Sequence, residues 1–121
     1  MGAHPLNLAI RFLLELIALL AMGVWGWDYG GQFKYVLALV IPVFAAACWG
    51  VFAVPNDPSR SGSAPIPISG CIRLLLEFLF FGLACWMIYD LNYSSYAGLF
   101  LAVTALHYLF SFDRIRWLLD R

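Results

Sequence analysis

Ile10-Arg11-Phe12-Leu13-Leu14-Glu15 returns 62 residues later as Ile72-Arg73-Leu74-Leu75-Leu76-Glu77, with five of the six positions identical. Each copy sets an Arg and a Glu one helical turn apart inside an otherwise apolar run. A charge at mid-bilayer costs about 2.5–3.5 kcal/mol on insertion scales. Four such charges are tolerable where they meet one another or line a wet cavity, so the two copies mark the polar centre of the fold.

The surrounding composition says which solvent that centre is hidden from. Of 121 residues, 64% are hydrophobic and 12% charged, and the mean hydropathy is +0.86, whereas globular chains carry about 25% charged residues. The apolar residues fall into four runs, 6–27, 33–54, 71–91 and 95–112. Each is close to the roughly 20 residues with which a helix crosses about 30 Å of hydrocarbon. The reading is an all-α membrane protein, a four-transmembrane-helix bundle that forms one integral domain over residues 1–121. Asp28–Gln32 and Leu91–Ser95 are short connections, which join antiparallel neighbours. Both copies of the repeat start on the same side, which predicts two similar helical hairpins related by a pseudo-twofold axis along the membrane normal.

Net charge is zero, but its distribution orients the chain. Arg60 in the loop 55–70 and Arg114, Arg116 and Arg121 in the tail 113–121 share a side with the N-terminus, together with the embedded Arg11 and Arg73. The opposite side holds Lys34 beside Asp28 and Asp90. By the positive-inside rule both termini, the loop and the tail are cytoplasmic. The first run has no basic leader and carries Glu15, so it reads as a permanent span rather than a signal peptide. Trp25, Trp27 and Tyr29 form an interfacial belt, and Trp117 with the tail arginines suits the headgroup zone. Pro42 predicts a kink in the second helix. The Pro-, Ser- and Gly-rich loop ends in Pro65–Ile68, expected to be extended.

Helical spacing places Asn7, Arg11, Glu15, Ala18 and Met22 on one face of the first helix, and Arg73, Glu77, Phe80 and Ala84 on one face of the third. The fourth carries a polar stripe of Thr104, His107, Tyr108 and Ser111. Under twofold symmetry the better pairing is crossed, Arg11 with Glu77 and Arg73 with Glu15, a neutral ring about 10–15 Å below the cytosolic surface. Asn7, Thr104, His107 and Ser111 lie at similar depth and would satisfy leftover donors. Two functions lead, ahead of a membrane-embedded enzyme using Glu15 or Glu77 with His107. The cluster fixes the pairing of helices 1 and 3 in a structural or accessory protein, within a homo-oligomer or larger membrane complex. Alternatively, Arg11 and Arg73 form a pocket that binds or transports an anionic lipid or small acid.

Other classes find no footing. Cys48, Cys71 and Cys85 have no Cys-x-x-Cys spacing and read as small apolar residues. His107 has no second ligand at metal-binding spacing, so no metal is expected. Phosphate loops, metalloprotease helices and nucleophile elbows are absent from the sequence, and with them any expected catalytic residue or cofactor. There is no basic footprint for nucleic acid.

Asn7 with Arg11–Leu16, Trp25-Gly26, Pro42 with Trp49-Gly50-Val51-Phe52-Ala53-Val54-Pro55, and Arg73 with Glu77 and Phe81-Gly82 occur in an order that resembles the YrdB-like family of small bacterial four-helix membrane proteins. The resemblance covers almost the whole chain, and the central loop departs from it by being longer and richer in Ser. It implies a bacterial inner-membrane location and a domain of unknown function.

Overall fold

A computed structural model describes residues 5–57 and 64–121. Arg60 and the Ser-rich middle of the loop, expected on the cytosolic side, lie outside the described residues. The described chain is all-α but for one pair of two-residue strands. In order come α1 (Pro5–Tyr29), a 3-10 turn (Gly31–Phe33), α2 (Lys34–Val51), β1 (Phe52–Ala53), β2 (Ile66–Pro67), α3 (Gly70–Asp90), α4 (Ser94–Phe110) and α5 (Phe112–Leu119). Three helical stretches, Pro5–Tyr29, Gly31–Val51 and Gly70–Asp90, are long and apolar enough to cross a membrane. A fourth appears if α4 and α5, bent by 69° at their junction, count as one.

Two boundaries differ from the sequence reading for physical reasons. The second helix stops at Val51, three residues early, because Phe52 turns extended and β1 pairs in parallel with β2, Phe52 opposite Ile66 and Ala53 opposite Pro67. The Ile68 N–H then donates to the Ala53 carbonyl at 2.9 Å. The fourth helix stops at Phe110 rather than 112, because Ser111 leaves helical backbone angles (φ −107, ψ 29). The tail after it is a separate helix.

Pro42 sits inside α2 without ending it. Having no N–H, it leaves the Ala38 carbonyl without its helical donor. That carbonyl faces Gly23 of α1, where a Cβ would stand 3.3 Å from it, and a Cβ on Gly26 would stand 2.6 Å from the Leu37 carbonyl. Small residues on α1 thus let the two backbones approach closely.

Helices α1 and α3 form the centre, with α2 against α1 and α4 against α3, while α5 folds back onto α3. The shared core includes Leu14, Ala18, Met22, Phe80, Phe81, Ala84, Phe100, Tyr108 and Leu118. In contrast, α2 contains no buried residue. The exterior is apolar: Leu20, Phe44 and Leu109 are each more than two-thirds exposed. At the end away from the repeats, the Trp25 indole N–H donates to Asp90 at 3.0 Å and the Tyr29 hydroxyl to the Asp90 carbonyl at 3.1 Å. These bonds tie the ends of α1 and α3 together.

Candidate functional site

The polar centre draws its charged groups from every helix but α2, which contributes Trp49, and the loop after β1 closes it. Glu77 is its hub and is fully buried. Its Oε2 receives Arg73 Nε at 3.0 Å from one turn earlier on α3, Arg11 Nη2 at 2.9 Å from α1 and Arg114 Nη2 at 2.6 Å from α5. Its Oε1 accepts the Tyr108 hydroxyl of α4 at 2.7 Å. Arg114 also holds Asp57 with both ends of its guanidinium, at 2.6 and 3.0 Å. Glu15 lies 3.5 Å from Arg11 Nε and accepts the Trp49 indole N–H at 3.1 Å. Three guanidiniums therefore balance three carboxylates.

Local structure explains why each side chain arrives. Arg73 and Glu77 share a face by helical spacing. Ser69 caps α3, its hydroxyl accepting from the Ile72 N–H. The end of α2 at Val51 frees the Trp49 and Phe52 carbonyls, and Arg73 Nη1 donates to both, at 2.6 and 2.7 Å. Orphan carbonyls at a helix end need such a donor. The bend at Ser111 swings α5 back so that Arg114 points at Glu77. Gly70 permits this docking, since a Cβ there would overlap the Leu118 carbonyl.

A neutral branch runs on from Arg11. Its Nη1 lies 3.5 Å from His107 Nε2, His107 Nδ1 lies 3.0 Å from Asn7 Oδ1, and Asn7 Nδ2 donates to the Ser111 hydroxyl at 2.6 Å. A guanidinium can only donate, so His107 Nε2 accepts and the proton sits on Nδ1. His107 is thus held as the neutral Nδ1–H tautomer, oriented from both sides.

The eight residues singled out in the sequence divide accordingly. Arg11, Glu15, Arg73, Glu77, Asn7, His107 and Ser111 form one connected network. Thr104 does not join it through a hydrogen bond; its hydroxyl donates to the Phe100 carbonyl of its own helix at 2.7 Å. The crossed ring is half formed. Arg11 meets Glu77, but among the described residues no ion pair joins Arg73 to Glu15, because Arg73 is committed to Glu77 and two carbonyls. The two copies of the repeat therefore end in unlike surroundings, Glu77 sealed by three cations and Glu15 with its side chain 21% exposed.

Sequence reasoning missed Arg114, Asp57 and Trp49. The sequence places Arg114 in the tail 113–121, yet it is 5% exposed. Its signal was present: Thr104, His107, Ser111 and Arg114 follow steps of three, four and three, one stripe running on through the bend. Asp57 is the single acidic residue of the loop 55–70. Trp49 lies in the last turn of α2 with its ring 4.3 Å from the Arg73 guanidinium carbon and 5.0 Å from that of Arg11. Among the described residues no group of three or more His, Cys, Asp or Glu is placed to hold a metal ion.

A family model described as "Protein of unknown function (DUF2568)" matches residues 9–105. The chain is also 45% identical over 116 residues to the uncharacterized protein YrdB of Bacillus subtilis (strain 168), covering 95% of this chain and 94% of the relative. No solved structure matches it.

Proposed function

The chain belongs to the DUF2568 family of proteins of unknown function, and from that premise we propose that it is a non-enzymatic, multi-pass protein of the bacterial inner membrane. Its four spans form two helical hairpins with both termini in the cytoplasm, and its charge cluster is an architectural lock in an accessory or assembly protein. The lock joins α1, α3, α4, the loop through Asp57 and the tail through Arg114.

The observation that carries this reading is the saturation of Glu77. Four donors converge on its two oxygens, and its side chain and those of Arg11, Arg73 and Arg114 are at most 6% exposed. In a low-dielectric site a neutral cluster of paired charges is tolerated, whereas stranding one member is strongly unfavourable. An anion pocket built on Arg11 and Arg73 would need a guanidinium edge facing a cavity. Here those edges face Glu77, Glu15, His107 and two backbone carbonyls, which favours the lock over binding of an anionic lipid or small acid.

Native mass spectrometry of gently extracted protein, with thermal stability measured against added anionic lipid, separates the two. The lock predicts no selectively retained acid or anionic lipid and an unchanged melting temperature. Retention that disappears in Arg11→Met or Arg73→Met protein would overturn it.

A further inference from the structure

Helix α5 is eight residues long, about 12 Å by helix rise, and both of its ends are pinned at the same end of the bundle. Just before it, the Ser111 hydroxyl accepts from Asn7 Nδ2 at 2.6 Å, and Asn7 belongs to the first turn of α1. Near its last residue, the Leu118 carbonyl stands where a Cβ on Gly70 would be, and Gly70 is the first residue of α3. A helix tied at both ends to the first turns of α1 and α3 runs across the level at which those two spans begin. The 69° bend from α4 turns it the same way. On the bilayer placement proposed above, that level is the boundary of the cytosolic leaflet.

Around its axis α5 divides into three sides. Arg114 and Leu118, one turn apart, are buried towards the bundle. Phe112, Ile115 and Leu119 follow steps of three and four and make an apolar flank. Phe112 and Leu119 lie within about 20° of each other on the helix, and each is more than half exposed. This flank follows directly on the exposed Leu109 and Phe110 of α4. The third side carries Asp113, Arg116 and Asp120, with the Arg116 guanidinium carbon 5.0 Å from the Phe112 ring at the border. The sequence suggested Trp117 and the arginines for the headgroup zone. In the structure Trp117 packs against the core and has Arg121 over its ring at 4.8 Å, so Phe112 and Leu119 are the large apolar side chains of α5 that stand clear. Arg116 and Arg121 are matched in number by Asp113 and Asp120, which leaves no excess charge outside the buried Arg114 to select an anionic surface.

We propose that α5 is an in-plane anchor: its flank of Phe112, Ile115 and Leu119 inserts between the headgroups and acyl chains of the cytosolic leaflet, by apolar contact rather than headgroup charge, and this insertion keeps Arg114 on Glu77 and Asp57. Flank and guanidinium occupy neighbouring sides of one two-turn helix, so α5 cannot leave the interface without turning Arg114 away from its carboxylates. The proposal rests on the bilayer placement and on the lock.

In protein carrying Cys48→Ala, Cys71→Ser and Cys85→Ala, a nitrobenzoxadiazole label is placed in turn on Phe112→Cys, Leu119→Cys, Arg116→Cys and Asp120→Cys, in phosphatidylcholine nanodiscs. Phe44→Cys and Leu101→Cys, near the middles of α2 and α4, serve as controls. Lipid nitroxides high on the acyl chain are expected to quench the labels at positions 112 and 119 about threefold or more over those at 116 and 120, and aqueous iodide to quench in the reverse order. Replacing half of the lipid by phosphatidylglycerol should change this by less than about 1.5-fold. Iodide reaching all four positions alike would put the flank in water, and protection of 112 and 119 from both quenchers would seat protein on it, a second copy included. Either result overturns the proposal, as does a gain of about twofold or more with phosphatidylglycerol. Failure of deep-chain nitroxides to reach positions 44 and 101 would overturn the bilayer placement itself and the proposal with it. Amide hydrogen exchange of α5 in unlabelled protein then tests the coupling. Phe112→Ser with Leu119→Ser should speed it about tenfold or more, as should Glu77→Gln. Exchange that stays slow in the flank variant would overturn the proposal, and exchange that quickens there but not in Glu77→Gln would overturn the lock on which it rests.

Discussion

Replacing Glu77 by Gln changes almost no volume and removes one charge from the most heavily bonded group in the protein. Gln offers one acceptor oxygen and an NH₂ that can only donate. Pointing the oxygen at Arg11, Arg73 and Arg114, now 2.9, 3.0 and 2.6 Å from Glu77 Oε2, turns the amide NH₂ towards Tyr108, whose hydroxyl can rotate to accept. The perturbation is therefore mainly electrostatic: three charge-assisted bonds become singly charged ones, a loss of about 1 kcal/mol each, and the cluster is left with an excess positive charge. The total comes to about 3–5 kcal/mol, the range for removing one partner of a buried ion pair, or a roughly 150- to 5000-fold change in the folding equilibrium. Arg11→Met restores neutrality, so the double variant should cost less than the sum of the singles by at least about 1 kcal/mol. Glu15→Gln, at a longer and partly exposed pair, should cost less than about 1 kcal/mol. Reversible unfolding in bicelles by increasing SDS, followed by near-UV circular dichroism, measures all four proteins. A Glu77→Gln effect below about 1 kcal/mol, or strict additivity with Arg11→Met, would refute the hub.

Asp57→Asn should reduce the paired, charge-assisted hold on Arg114 to one neutral acceptor and loosen the loop from the tail, which limited proteolysis would report as faster cleavage between β1 and β2 with a stability loss of about 1–3 kcal/mol. Gly70→Ala puts a methyl into the Leu118 carbonyl; α5 is expected to leave α3, so a Cys pair bridging Gly70's neighbour Cys71 and a Cys at Leu119 would cross-link more slowly than with Gly70 in place. Gly26→Val should push α2 off α1, costing about 1–3 kcal/mol by overpacking, and unchanged stability would contradict the backbone approach at Leu37. Cys71 is exposed at the start of α3, and a membrane-impermeant maleimide should label it in inside-out vesicles and spare it in spheroplasts; the reverse pattern would invert the proposed topology.

Periodicity and composition alone determined the all-α class, the long apolar segments and the face on which Arg11, Glu15, Arg73 and Glu77 lie, because helix geometry converts spacing of three and four residues directly into a shared side. The same spacing already carried the stripe from Thr104 to Arg114. What spacing does not encode is which donor reaches which acceptor once helices end and turn. Stopping α2 at Val51 created two orphan carbonyls that drew Arg73 away from Glu15, and the bend at Ser111 brought a third cation to Glu77. Both events depend on residues distant in the chain, Ile66 and Pro67 against β1 and Gly70 beneath Leu118. Two nearly identical hexapeptides thus became a sealed hub and an accessible carboxylate, because ion pairing in a low-dielectric core is decided by ångström-scale reach, which only the packed structure supplies.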